Sequence, residues 1–277
     1  MLGSFAYVGV TFFFMTSAYG LRMAAMKRPA SMARFWRNRL PKLLAPCVLS
    51  NVVHMAVYAA AGSLVSPLML LTIGGWVRWL LVCYLFFWLS YRFLPEKSRD
   101  WAICGLVILF SLGVYLRKPG GTTWCPEVMG FVWGILLSRW KGGFVNWTGR
   151  RWIQKCVGLC LLAGILGIGY LAGKGVPFWG DYILKIVLGA AILGFMLTLN
   201  GKISIGNRVS RVLGTISYEV YLLHDIAFYG LERVKPELNS GVFIFAGILI
   251  TLVLSLVVQR LSERMLTLTN VKKQQAA

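Results

Sequence analysis

The sequence predicts an all-α, polytopic integral membrane protein of about nine transmembrane helices, forming a single domain over residues 1–277. Three observations predict it. The 277 residues are 58% hydrophobic and only 14% charged, whereas soluble domains carry about 25% charged residues. Apolar segments recur at or near the roughly 20 residues needed to cross a bilayer core. And the basic residues alternate: 22 of the 29 lysines and arginines fall in, or at the edges of, every second connection and the tail.

The segments lie at about 3–21, 43–61, 70–91, 101–116, 124–138, 153–172, 182–199, 212–230 and 241–260. The first is apolar and aromatic, with no basic stretch before it, so it is not a signal peptide. It ends in a polar run, Thr16-Ser17-Ala18-Tyr19-Gly20, read as a kink. Residues 22–42 then form the longest connection, and Pro41 and Pro46 mark the return into the second segment. The fifth and eighth segments are short or carry charge. A second long connection is expected over 139–152. In the sixth, Gly169 and Gly173 form a small-xxx-small pair suited to close helix packing. Residues 272–277 read as a frayed tail. Basic connections follow the first, third, fifth and seventh segments, so the positive-inside rule places them and the C-terminus in the cytoplasm and Met1 outside.

The net charge of +20 does not imply nucleic acid, because the charges sit in short connections rather than on one continuous basic face. The six cysteines include no C-x-x-C pair, so neither a metal nor a redox site is expected. Cys125 falls at an outer membrane edge, a place that allows exposure, and has no obvious partner.

The connection after the first segment carries Arg22, Lys27, Arg28, Arg34, Arg37, Arg39 and Lys42, with no acidic residue before Glu96. Arginine makes bidentate contacts to phosphate. The residues alone leave two readings: a topology signal, or a site for an anion. The eighth segment holds Ser217, Tyr218, Glu219, Tyr221, His224 and Asp225. Ser217, Tyr221, His224 and Asp225 share one helical face, with Tyr218 beside them and Glu219 pointing elsewhere. A polar face inside a membrane is costly. It is either a packing seam or the lining of a substrate site in which His224 acts as base. His54 stands alone on an apolar helix and reads as a packing residue or an interhelical hydrogen bond. Glu127, after Trp124, is either an interfacial anchor or a ligand for a sugar hydroxyl. Arg78, between Trp76 and Trp79, reads as snorkelling to the interface.

Three stretches together resemble the integral-membrane acyltransferase family 3. VTFFFMTSAYGL, residues 10–21, is similar to that family's second helix, which ends in S-G-Y; Ala18 stands at the glycine place. FWRNRLPKLLAP, residues 35–46, is similar to its R-x-x-R followed by apolar residues and proline, here Arg39 and Lys42. LGTISYEVYLLH, residues 213–224, is very like its S-Y-x-x-Y-L-x-H helix. The resemblance covers nearly the whole chain. It implies a ten-helix bundle minus the first helix, and an O-acyltransferase that moves an acyl group, usually acetyl, from cytoplasmic acyl-CoA to a hydroxyl of a surface glycan or lipid-linked sugar. It implies that Arg34, Arg37, Arg39 and Lys42 hold acyl-CoA. Ser17, Tyr19, Ser217, Tyr218, Tyr221, His224 and Asp225 would line the substrate path. Acyl-CoA would be a co-substrate, with no tightly bound cofactor and no metal. The partners would be the bilayer of the cell membrane, acyl-CoA and the acceptor, with no nucleic acid. The family's catalytic histidine belongs to the helix that precedes the first segment found here, so it is absent from this sequence. His224 is the weak candidate to replace it, and this chain is expected to be weakly active or inactive. A transporter of an anionic or lipid-linked substrate and a catalytically silent scaffold are the alternative readings.

Overall fold

The computed structural model describes residues 7–117, 124–173, 175–200 and 207–275. Among them are nine α-helices and no strand. They are α1 (Tyr7–Lys27), α2 (Phe35–Ala60), α3 (Gly75–Phe93), α4 (Glu96–Arg117), α5 (Met129–Gly149), α6 (Trp152–Ala172), α7 (Lys185–Asn200), α8 (Arg208–Val234) and α9 (Ser240–Gln275). Each overlaps one predicted segment. Residues 3–6 of the first segment, Lys118, Lys174, Lys202 and the last two tail residues lie outside the described residues. The protein is an all-α polytopic membrane protein, and six of its helical stretches are long and apolar enough to cross a bilayer. Among the described residues α1, α5 and α8 contain no stretch that meets the same test.

The predicted connection over residues 22–42 is mostly helix. α1 runs through Arg22 to Lys27, a 3-10 turn covers Pro29–Arg34, and α2 begins at Phe35. Lys, Arg, Met and Ala are good helix formers, so α1 continues past its apolar part until Pro29 stops it. The polar run at 16–20 does not interrupt α1, which is continuous through it, with Thr16 bonding back to the carbonyl of Phe13 (3.1 Å). Pro41 and Pro46 lie inside α2; each removes one backbone donor. Residues 139–149 belong to α5, whose dihedral angles break only at Trp140 (φ −107°, ψ 20°). The 36 residues of α9 extend to Gln275, at 1.5 Å per residue well beyond a bilayer core of about 30 Å.

The chain forms two compact units, residues 1–33 with 75–205, and residues 34–74 with 206–277. In the first, α1 packs chiefly on α5, α4 on α3 and α5, and α6 on α7. Phe14, Leu80, Phe87, Ile103, Phe131 and Ile135 are fully buried there. The α1–α5 contact is backbone to backbone. A Cβ on Gly130 would overlap the carbonyl of Thr11, and one on Gly134 would overlap that of Met15 and come within 2.8 Å of Ala18 Cβ. The glycines expected to pack in α6 are mostly open: a Cβ on Gly158, Gly164 or Gly169 would meet nothing within 4 Å. Gly173 is the exception, lying against Gly180 at the turn that leads to α7.

Two polar groups lie at the end of this unit opposite Arg22. Cys125 is fully buried, and Ser111 donates to its carbonyl and meets Tyr182 Oη at 2.9 Å. Glu127 is 3% exposed and pairs with Lys185 Nζ at 3.4 Å, with the ammonium also over the Tyr7 ring. It is therefore a buried ion-pair partner rather than an interfacial anchor, because the chain folds Lys185 onto it. Arg78 is exposed.

In the second unit α8 packs on α9 and both pack on α2. Leu223, Ile226 and Val258 form its core with Leu49, Val53, Val57 and Leu254 around them. Asn51 ties the turn Pro67–Leu71 to α2 by donating to the carbonyls of Leu70 (3.1 Å) and Thr72 (2.7 Å).

Replacing Gly134 by leucine forces α1 from α5 and should lower stability by about 2 kcal/mol or more, the cost of overpacking a close contact. The thermal midpoint of the detergent-solubilised protein measures this, with Gly158→Ala expected to leave it nearly unchanged.

Candidate functional site

The start of α2 presents the four expected cations. Phe35 and Leu43 bury one face of the helix. At 100° per residue Arg39 and Lys42 fall on the flank of that same face, and Arg37 falls on the opposite one. Arg39 is accordingly half-buried, while Arg34, Arg37 and Lys42 are exposed. By this count Arg39 and Lys42 lie to one side of α2 and Arg37 to the other, while Arg34 ends the 3-10 turn before it,. Among the described residues none of them pairs with a carboxylate.

In α1, Ala18 is completely buried, and its methyl group occupies the space beside Gly134. Only a small side chain fits between two helices this close. Ser17 and Tyr19, one residue to either side, are half-buried.

Along α8, Ser217, His224 and Asp225 are exposed and Tyr221 is half-buried. They share the face that their spacing predicts, and Glu219 points away into a buried position. Tyr218 leaves the group. It donates to the carbonyl of Leu43 (2.8 Å) and meets Cys47 Sγ at 3.0 Å, which ties α8 to α2. His224 Nδ1 lies 3.0 Å from the carbonyl of Tyr221. A carbonyl only accepts, so Nδ1 carries the proton and Nε2 of the neutral ring is left as a base.

Asp225 does not meet its neighbour His224. Its Oδ1 accepts from the Ile226 amide (2.9 Å) and stands 3.5 Å from His54 Nε2. His54 Nδ1 in turn donates to the carbonyl of Ser50 at 2.8 Å. With both ring nitrogens engaged, His54 holds α2 to α8 and offers no free lone pair. The sequence shows His54 and Asp225 on separate helices 171 positions apart, and nothing in either local pattern announces the pair.

A second arrangement missed by sequence reading lies in the first unit. Asp100, 4% exposed, receives Arg22 through Nε (3.0 and 3.1 Å) and Nη2 (2.9 Å), and Arg139 through Nη1 (3.1 Å). One carboxylate thereby joins α1, α4 and α5. Next to it, the ends of α1, α3 and α4 and the turn at 29–33 enclose a cavity of about 550 Å³. Arg22, Arg92, Arg99 and Asp100 line it together with Trp88 and Tyr91. Among the described residues no three His, Cys, Asp or Glu side chains converge to hold a metal ion.

The family model described as an acyltransferase domain, that of acyltransferase family 3, matches residues 1–260. No curated protein matches the chain, and no solved structure does.

Asp100→Ala leaves two guanidiniums facing each other across three helices. It should destabilise the protein by about 3 kcal/mol, as for a buried ion pair that loses one partner. Thermal unfolding read by tryptophan fluorescence checks this, and an unchanged midpoint would show that the clamp contributes nothing.

Proposed function

The chain belongs to acyltransferase family 3 and is a membrane acyltransferase, and from that premise we propose that it takes an acyl group, acetyl in the first instance, from cytoplasmic acyl-CoA and passes it to a hydroxyl of a surface glycan or lipid-linked sugar. The observation that carries this reading is the start of α2, where Arg34, Arg37, Arg39 and Lys42 stand without a carboxylate among the described residues. A thioester donor of this class carries several phosphate charges, and unneutralised guanidiniums are the side chains that bind phosphate bidentately. The excess of basic residues on alternate connections favours the cytoplasm for this end of α2, with the C-terminus on the same side.

The exposed polar stripe of α8 suits the acceptor. Ser217, Tyr221, His224 and Asp225 offer donors and acceptors for hydroxyl groups, on a face that is costly to leave against lipid. The resemblance assigns Ser17 and Tyr19, in the first unit, to the substrate path as well. In the transfer, the acceptor hydroxyl oxygen attacks the thioester carbonyl carbon. A carbon–oxygen bond forms, the carbon–sulfur bond breaks, and the thiolate leaves. The hydroxyl proton goes to a base; the resemblance puts the family's histidine on a preceding helix, so His224 Nε2 is the weak substitute candidate and this chain is expected to turn over weakly or not at all,.

Arg39→Ala and Lys42→Ala should each weaken binding of acetyl-CoA by the full chain in nanodiscs about tenfold, the loss expected for one charged hydrogen-bonding partner. The same affinity should fall with rising salt. Calorimetric titration that gives unchanged affinity for both variants would remove the role assigned to α2. Transfer of labelled acetyl to membrane glycans, compared with His224→Ala, tests the assignment of the base: equal rates would exclude it.

A further inference from the structure

Charge, aromatic surface and space coincide at the cavity of the first unit. Arg99 is held in place there before any ligand arrives. Its Nε donates to the carbonyl of Leu94 at 2.8 Å, and its guanidinium lies 5.2 Å from the centroid of the Tyr91 ring. Tyr91 is itself stacked on Phe87, with centroids 4.3 Å apart and planes 22° apart. Arg99 is thus braced beside a stacked ring pair, with its Nε engaged and its two terminal nitrogens open to an anion.

The neighbouring charges leave that role open. Asp100 is already engaged by Arg22 and Arg139. Glu96 is the remaining carboxylate of the lining. Among the described residues neither Arg92 nor Arg99 forms an ion pair. The balance at the cavity is positive.

The other walls are Trp88, Met26 and Met32. An indole and two thioethers make a polarisable, adaptable surface for a flat ring. The volume of about 550 Å³ is within the usual range of small-molecule sites, about 300–1,000 Å³.

We propose that this cavity binds a phosphorylated nucleotide, with a phosphate on Arg99 and Arg92 and the base against Trp88. Resting on the acyl-CoA reading above, the nucleotide is the phosphoadenosine end of the donor. A headgroup of an anionic lipid offers the same phosphate but no flat ring, which is why the aromatic and thioether wall favours the nucleotide.

The test uses the full chain in zwitterionic nanodiscs, with CoA and adenosine 3′,5′-bisphosphate as probes. Adenosine 3′,5′-bisphosphate should displace CoA, and Arg99→Gln and Arg92→Gln should each weaken both probes about tenfold. Arg92 is exposed, so its variant keeps the test valid if Arg99→Gln unfolds, and thermal midpoints are taken for both. If both variants bind CoA as the parent does while Arg39→Ala and Lys42→Ala lose it, the nucleotide site is wrong and the acyl-CoA reading stands. If the parent binds no CoA, both fall. If adenosine 3′,5′-bisphosphate fails to displace CoA, and the two variants instead lose affinity for vesicles containing phosphatidylserine, the cavity is a lipid-headgroup site and the proposal is overturned.

Discussion

α1 and α5 touch through their backbones, and much of the first unit depends on that contact. Gly130 and Gly134 have no side chains to hold the helices apart, and Ala18 adds only a methyl group. In a membrane there is little hydrophobic gain from joining two helices, so close van der Waals packing has to supply it. The contact fixes where α1 sits in its unit, and with it the residues at either end. Ser17 and Tyr19 flank the buried Ala18. Arg22, one helical turn further on, arrives at Asp100, where Arg139 of α5 arrives as well.

The carboxylates explain which cations are free. The chain has only 9 acidic residues against 29 basic ones. Asp100 is taken by two arginines, Glu127 by Lys185, and Asp225 stands against His54. These pairs hold helices to one another inside each unit. The cations outside these pairs include those at the first turns of α2 and, in the cavity, Arg92 and Arg99. Such a surplus suits the anionic donor proposed above, whereas a surplus of this size inside the apolar layer would be costly.

The apolar segments were readable in the sequence because hydropathy is a local property, and each helix overlaps one of them. Their ends were less so. Residues 22–27 and 35–42 are polar, and polarity suggested a loop, but a helix can leave the hydrocarbon without unwinding. Pro41 and Pro46 suggested the edge of a segment, yet α2 runs through both. The polar face of α8 could be drawn from the spacing of Ser217, Tyr221, His224 and Asp225. That Tyr218 turns aside to Leu43 and Cys47 could not, because its partners lie on another helix.

The sequence by itself determined the class of structure, the number of helical segments, the alternation of basic connections and the stretches that resemble the family. These follow from composition and from patterns within some 20 residues. Only the tertiary structure decided which polar residues are spent on each other. It paired Asp100 with Arg22 and Arg139, Glu127 with Lys185, and Asp225 with His54, and it left Arg99 braced on Tyr91 beside an open cavity. Ion pairs and cavities depend on distances between helices, and those distances are set by packing details such as two glycines in α5 that carry no charge signal at all.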